Sequence, residues 1–487
     1  MTRRPPQYRR HVYQIDNRTG YSTYNSRLRP RRGRGEGVMW GCLFLGVLLC
    51  VGMCALTVVL TPIAFRQLSP EWQDRAARYL PVLRVFLPTE VPGVQALPTL
   101  DPARATAAAG FTIDLAGAPI ATLAPGVTPS AVLGATPIGM PGIITMTPVT
   151  RPTATTAPLP ANFYVPRAKR VAQLWNNCGP ANLVQAMYVL GVDTRQEDTA
   201  AWLKPNTDDA NVSPWQMAQY VNEQTGLRAL VRTNGSIDLM KRLLYAGAGV
   251  ILETGLIHKD DGSWLGHYVT LVGWDDLSAY FFGLDTFEEN GSDGRGVREN
   301  YADLDQRWKH FNRVYLVIYP PEQATHIQDI LGTAFDERQN HVEALEKAFL
   351  ETQYNPNDMY AWFNIGTNLV ALGRYEEAAI AYDKARYLGG GLPWRMMWYQ
   401  FGPFKAYYMA GDYKTVLELA NNVINSSKRI FIEEAYYYRG LASAAVGIRA
   451  QATSDLERTL QLNPNFAPAQ SALAELRSGV IPVPETL

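Results

Sequence analysis

The sequence predicts an α+β domain followed by an all-α helical repeat array, with one N-terminal transmembrane helix. Three observations carry this expectation. An uncharged apolar run of 28 residues lies near the N-terminus. In the middle of the chain, a segment with helical period is followed by several runs rich in Val, Ile, Tyr and Phe, an order that marks the α+β class. Toward the C-terminus, small and aromatic residues recur as they do in stacked helix pairs.

The chain has 487 residues, 47% hydrophobic and 18% charged. That composition suits two or three folded domains plus an apolar segment and does not suit a disordered chain. Formal net charge is zero, so no global field recommends nucleic acid as a partner. Locally the balance is uneven, since ten arginines between Arg3 and Arg34 face only Asp16 and Glu36. Residues 1–37 have no hydrophobic period and read as a basic, disordered cytoplasmic tail. Residues 38–65 are uncharged and exceed the ~20 residues that span a bilayer, so they read as an uncleaved signal anchor. The arginines precede the span, which places the N-terminus in the cytoplasm and the rest outside a single-pass cell-membrane anchor. Residues 66–160 read as an amphipathic segment, interrupted at Pro81, leading into an extended Pro/Thr/Ala-rich stalk.

The first folded domain is expected over 161–322. A helix should run from Cys178 to Leu190, with Gly191 ending it, and another should begin at Ser213-Pro214. Strand-like runs follow at 248–253, 267–275, 279–285 and 313–319. The second folded region, 335–478, is helical. Trp362, Ile365, Gly366, Leu369, Ala378, Tyr382 and Ala385 fall at large, large, small, large, small, aromatic and small positions. Tyr436, Arg439, Gly440, Ala452 and Leu456 give a second match that closes with Asn463-Pro464. Between them GDYKTVLELANNVI echoes GRYEEAAIAYDKAR, although the helix around Met396 to Tyr408 is degenerate. This pattern resembles tetratricopeptide (TPR) repeats, counted as three, with a leading half-repeat near Ala344 and a closing helix from about Ala467. The resemblance implies that the repeats bind a protein partner in their groove and catalyse nothing.

Cysteine placement points to chemistry. Cys42, Cys50 and Cys54 lie in the apolar run, and Cys178 alone remains elsewhere. No intramolecular disulfide is open to it, and no Cys/His cluster has metal-ligand spacing. The Gly-rich GSDGRG at 291–296 lacks a following Lys-Ser/Thr, so no phosphate cradle and no cofactor is expected. Cys178 stands where a loop enters a helix, with Gly179 and Pro180 fitting that entry. A cysteine at a helix N-terminus beside a histidine is the usual setting of a thiolate nucleophile. His267, opening a strand in GHYVTLVGWDD, is a candidate general base. Asp285, ending the next strand-like run, is a candidate third member that orients the imidazole, with Asp275 and Asp276 as competitors. His258, His310, His326 and His341 read as incidental.

Gln173-(x4)-Cys178-Gly179-Pro180-Ala181, then Gly266-His267-Tyr268-Val269, then a strand ending at Asp285, resembles the bacteriocin-processing (double-glycine leader) peptidases of the papain-like superfamily. The resemblance covers about 161–320. It implies a papain-like fold with Cys178 as nucleophile, His267 as base, Asp285 as orienting acid and Gln173 as oxyanion donor. Asn177 departs from the acidic residue that usually precedes the cysteine in transporter-linked members. The expected activity is an extracytoplasmic cysteine peptidase acting on a peptide or protein segment. Two alternatives stand beside it: an inactive peptide-binding scaffold, and amide transfer or cell-wall peptide hydrolysis on the same fold.

Overall fold

A computed structural model describes residues 80, 97–113, 115, 158–257, 263–287, 293–388, 391–426 and 431–485. The tail at 1–37, the anchor at 38–65, most of 66–160 and His258 lie outside the described residues. Among the described residues, no helix is long and apolar enough to cross a membrane.

In chain order the elements begin with α1 (Pro102–Gly110) and β1 (Asn162–Tyr164). Helices α2 (Cys178–Val189), α3 (Gln196–Leu203) and α4 (Pro214–Gln224) follow. Next come β2 (Arg228–Arg232), α5 (Ile237–Tyr245), β3 (Gly249–Ile257), β4 (Trp264–Asp275), β5 (Tyr280–Asp285) and β6 (Val297–Asn300), then α6 (Tyr301–Lys309) and β7 (Tyr315–Tyr319). The seven strands form one sheet in the order β2-β7-β3-β4-β5-β6, with β1 added on β4, and every pairing is antiparallel. Helices before sheet, with antiparallel pairing, make this an α+β domain. Its sheet is covered on both faces. Leu183, Ala186 and Met187 of α2 pack with Ile251, Tyr268, Leu316 and Ile318, while Met240, Leu243 and Leu244 of α5 pack with Val250, Leu252, Val269 and Leu271. Strands buried on both faces lose the polar alternation that marks a half-exposed strand. Helix α2 ends at Gly191 with φ +88°, a conformation glycine adopts without cost. Helix α4 starts on a capping box between Ser213 and Gln216.

The remaining helices are α7 (Ala324–Leu331), α8 (Glu337–Tyr354), α9 (Met359–Ala371), α10 (Tyr375–Tyr387), α11 (Gly402–Met409), α12 (Tyr413–Ser426), α13 (Glu433–Ala445), α14 (Arg449–Leu462) and α15 (Ala467–Ser478). They pack as successive neighbours. Small residues allow the close approach: a Cβ on Gly366 would stand 2.7 Å from the Tyr382 ring, and one on Gly440 3.1 Å from Leu456. The degenerate stretch is broken here into a 3-10 turn, Trp394–Trp398, followed by the short α11.

Sheet and helices share one core. Trp264 and Phe311 of the sheet domain belong to the same buried cluster as Trp362, Met396 and Trp398. Polar contacts also cross the junction: Lys309 pairs with Asp358 at 2.6 Å, Arg313 with Glu351 at 2.8 Å, and Asn312 Nδ2 donates to Asn368 Oδ1 at 2.8 Å. Further along, Asn463 and Asn465 donate to the Leu203 and Trp202 carbonyls.

Part of the segment at 66–160 is described. The segment read as an extended stalk contains α1, which lies against α10 and buries Ala108, with Ile113 buried beyond its C-terminal end. Within the helix the docking is polar, through Arg104, while Leu97, Phe111 and Ile113 supply apolar contacts from the flanking residues.

Overpacking a close helix crossing typically costs ~1–3 kcal/mol. Gly366→Val is therefore expected to lower the urea midpoint of the full chain by a corresponding amount. An unchanged midpoint would show that α9 and α10 do not depend on this contact.

Candidate active site

Helix α2 opens on Cys178, and the turn before it sets where the thiol lies. Asn176 takes a left-handed φ of +51°, which Asn tolerates better than most residues, and Asn177 then donates its N–H to the Leu174 carbonyl at 3.2 Å. The lead-in chain is held by side-chain amides. Val171 N–H donates to Gln185 Oε1 at 2.8 Å and Leu174 N–H to Gln196 Oε1 at 2.9 Å. Lys204, almost fully buried, reaches the Asn176 carbonyl at 3.0 Å and also binds the Thr207 and Asp209 carbonyls. Cys178 itself is half-buried and free of disulfide.

His267 on β4 and Asp285 at the end of β5 are both buried. Nε2 of the ring lies 3.1 and 3.2 Å from the two carboxylate oxygens. The Cys178 side chain is a near neighbour of the ring and favours its charged form. With Nε2 on Asp285, Nδ1 is the nitrogen left for sulfur. Asp285 is fixed in turn, because its Oδ1 accepts from the Phe287 N–H at 2.7 Å and its carbonyl from Arg170 Nε at 3.0 Å. Burial alone would lower the His267 pKa. The Asp285 carboxylate and the Cys178 contact outweigh it and carry the value up to about 10. The shift favours the charged ring at neutral pH, with Nε2 on Asp285. The competing carboxylates are elsewhere: Asp276 pairs with Lys241 and accepts from Tyr301, and Asp275 accepts from the Ser278 N–H.

Gln173 is tied to the residue after Asp285. Its N–H donates to the Thr286 carbonyl at 2.9 Å, and its Oε1 accepts from Thr286 Oγ1 at 2.8 Å. That contact fixes the amide orientation and makes Nε2 the donor end.

Several residues at the site escaped sequence reasoning. Asn182 Nδ2 donates to the Cys178 and Tyr268 carbonyls, both at 2.9 Å, while its Oδ1 accepts from Thr270 Oγ1 at 2.8 Å. Gln185 Nε2 reaches the Leu284 carbonyl at 3.2 Å. Cys178, Asn182 and Gln185 are spaced i, i+4, i+7, one helical stripe, and two amides on an otherwise apolar face were the available signal. Glu253 is buried in β3 and held well above the usual carboxylate range by that burial. Tyr268 Oη donates to the Val212 carbonyl at 2.8 Å, with Glu253 Oε1 as its second acceptor at 3.3 Å. A carboxylate inside the apolar run GVILE was the clue. Tyr399, from the break in the helical array, lies over Gly266, where a Cβ would stand 2.7 Å from its ring. Cross-strand from Gly266 is Gly255, over which His310 sits in the same way. Among the described residues no group of His, Cys, Asp and Glu could hold a metal ion.

Fold and site together define an α+β domain carrying a Cys–His–Asp cluster, joined to paired helices. No family model matches the chain. Aryl-hydrocarbon-interacting protein-like 1 from Bos taurus is 30% identical over 118 residues, 21% of this chain and 35% of that protein. The protein of the same name from Papio cynocephalus is 30% identical over 118 residues, 21% of this chain and 31% of that protein. The chain thus spans about a third of the length of the curated relatives it matches. Among solved structures, a protein described as a C39-like peptidase from Bacillus anthracis matches 32% of this chain and 94% of its own, at 15% identity and a TM-score of 0.25.

A histidine raised by its partners stabilises the fold fully below the unfolded value of about 6.5, and that contribution is lost as pH rises through about 10. The difference in urea midpoint between the native chain and His267→Gln is therefore expected to shrink from pH 6.5 to pH 10. A difference that holds constant or grows over that range would mean that His267 is not charged in the folded protein.

Proposed function

We propose that this chain is a thiol hydrolase of the cysteine-peptidase type, acting on a peptide or protein segment outside the cytoplasmic membrane. The observation that carries the reading is the line Cys178–His267–Asp285, with the thiol at the first residue of a helix and the imidazole bridged between sulfur and carboxylate. In this reading the proton of the Cys178 thiol rests on His267 Nδ1, the sulfur attacks a carbonyl carbon, and the carbonyl π pair moves to oxygen. That oxygen is met by Gln173 Nε2 and by the Cys178 N–H, which opens the helix and has no i−4 carbonyl to bind. Collapse breaks the C–N bond, and the His267 imidazolium gives its Nδ1 proton to the leaving amine. Water then attacks the thioester while His267 takes its proton, which frees Cys178 and releases the acid. Asp285 holds the ring orientation throughout. Asn182, Gln185 and Lys204 act as positioning residues.

The helix pairs act as tetratricopeptide-type repeats that bring a protein partner or substrate to this site. Tyr399 supports the link, since the array places an aromatic ring beside the strand that carries His267. The uncharged run at 38–65 and the arginines before it support a single-pass anchor with these domains outside the cell membrane. Cleavage beside small residues is the preference that the leader-peptidase resemblance suggests.

The test is alkylation of the full chain with iodoacetamide over a pH series, with Cys178 followed by peptide mass spectrometry. Labelling well below the free-thiol pKa of ~8.5, slowed at least tenfold by His267→Ala, is the expected result. Labelling that tracks an ordinary thiol and ignores the mutation would leave a peptide-binding scaffold in place of an enzyme. Asn182→Leu keeps His267 and Asp285 but removes the ties from α2 to the sheet. It is expected to slow the same labelling at neutral pH by severalfold while the chain stays folded by circular dichroism. Unchanged labelling would remove Asn182 from the site.

A further inference from the structure

Helix α1 is nine residues long, and an isolated helix of that length is not stable in water. Its shape is therefore imposed by the surface on which it lies. Arg104 makes a fork onto Asp383, with Nη2 at 2.6 Å and Nε at 2.9 Å from Oδ2, and also reaches Asp412 and Thr415. Its guanidinium lies 4.9 Å from the centre of the Tyr407 ring. Two basic residues of α10 read the backbone of the same segment: Lys384 binds the Phe111 carbonyl at 2.9 Å, and Arg386 binds the Pro98 carbonyl. The Phe111 ring leans on Trp362 at 6.2 Å. Pro102, Ala103, Thr106, Ala107 and Ala109 of the helix remain exposed, and the apolar contacts are made by Ala108 and by Leu97, Phe111 and Ile113 at the two ends of the segment. The receiving side also has ties of its own. Asp383 also accepts from Tyr407 Oη at 2.7 Å and lies 3.6 Å from Arg386.

A pre-formed acidic fork that grips one arginine, flanked by cations that grip main-chain carbonyls, is the chemistry of peptide recognition. We infer that the face built by α10, α11 and α12 is a binding site for a short arginine-bearing helix, and that residues 97–113 fill it as an exchangeable ligand in cis. The occupant it accepts in trans is a protein segment of the same pattern: a helix N-cap, an arginine on the third residue after it, alanines around it and an aromatic residue beyond its end. This holds whether or not Cys178 is a nucleophile.

The probe is a fluorescent synthetic peptide of residues 97–113, titrated by anisotropy into the full chain. Arg104→Ala in the protein weakens its own arm, so this variant is expected to bind the peptide at least tenfold more tightly than the native chain does. Adding Asp383→Asn to that variant, or replacing the arginine of the peptide by alanine, is expected to remove the binding. An Arg104→Ala chain that keeps its native circular dichroism yet binds no peptide would overturn the inference and make α1 a fixed part of the fold. Hydrogen exchange on the native chain gives an independent reading, useful if the variant unfolds. Amides of 103–110 should exchange far faster than those of α9 and α10. Exchange of α1 only with global unfolding would overturn the inference as well.

Discussion

The position of Cys178 depends on one buried polar constraint. Asn182, Gln185 and Thr270 lie fully inside the domain, where an unmet hydrogen-bonding group is costly. Their bonds to the Tyr268 and Leu284 carbonyls can be made in only one rotation and one height of α2 against β4 and β5. An apolar interface would tolerate small slides, whereas a network of amides and hydroxyls does not. The same atoms reach the Thr286 hydroxyl, which orients Gln173, and the segment before the helix, which carries the thiol. The site is thus built outward from a helix locked on a sheet.

Much of this was legible in the sequence, for physical reasons that differ by residue. Cys178 and Asp285 stood out because each sits at an element boundary, where hydrophobic period stops; His267 reads in the sequence as opening a strand, whereas β4 begins at Trp264 and holds it as its fourth residue. Helix α2 and strands β3, β4, β5 and β7 were readable because burial demands apolar residues in long runs. Strands β1, β2 and β6 were not. They are three to five residues long, lie toward the margins of the sheet, and carry sequences such as VREN that nothing local marks as extended. Lys204 and Glu253 were invisible for another reason. A buried charge-bearing residue looks like a surface residue until the carbonyls or the hydroxyl that satisfy it are placed beside it. The docking of α1 lay beyond reach because its partners, Asp383 and Asp412, are more than 250 residues away.

The degenerate unit of the helical array takes on meaning from the sheet domain. A regular helix over Met396 to Tyr408 would follow the repeat and present its side chains to neighbouring helices. The break at Trp394–Trp398 instead turns Tyr399 toward Gly266, and Arg395 toward the Trp264 carbonyl. The paired glycines of β3 and β4 remove the side chains that would hold these aromatics off. Local irregularity and local smallness are complementary here, on two segments far apart in the chain.

That fit has a consequence for how the array can change over generations. Helical repeats often lengthen or shorten by duplicating or losing a unit, because each contacts only its neighbours. This array is clasped to the sheet domain at Glu351, at Tyr399 and at Asn463, with one helix pair between the first two contacts and two between the last two. A duplicated unit between any two clasps would carry the later one away from its seat by the thickness of a repeat. Copy number inside the clasps is therefore frozen, and growth is open only beyond them, at the C-terminal end.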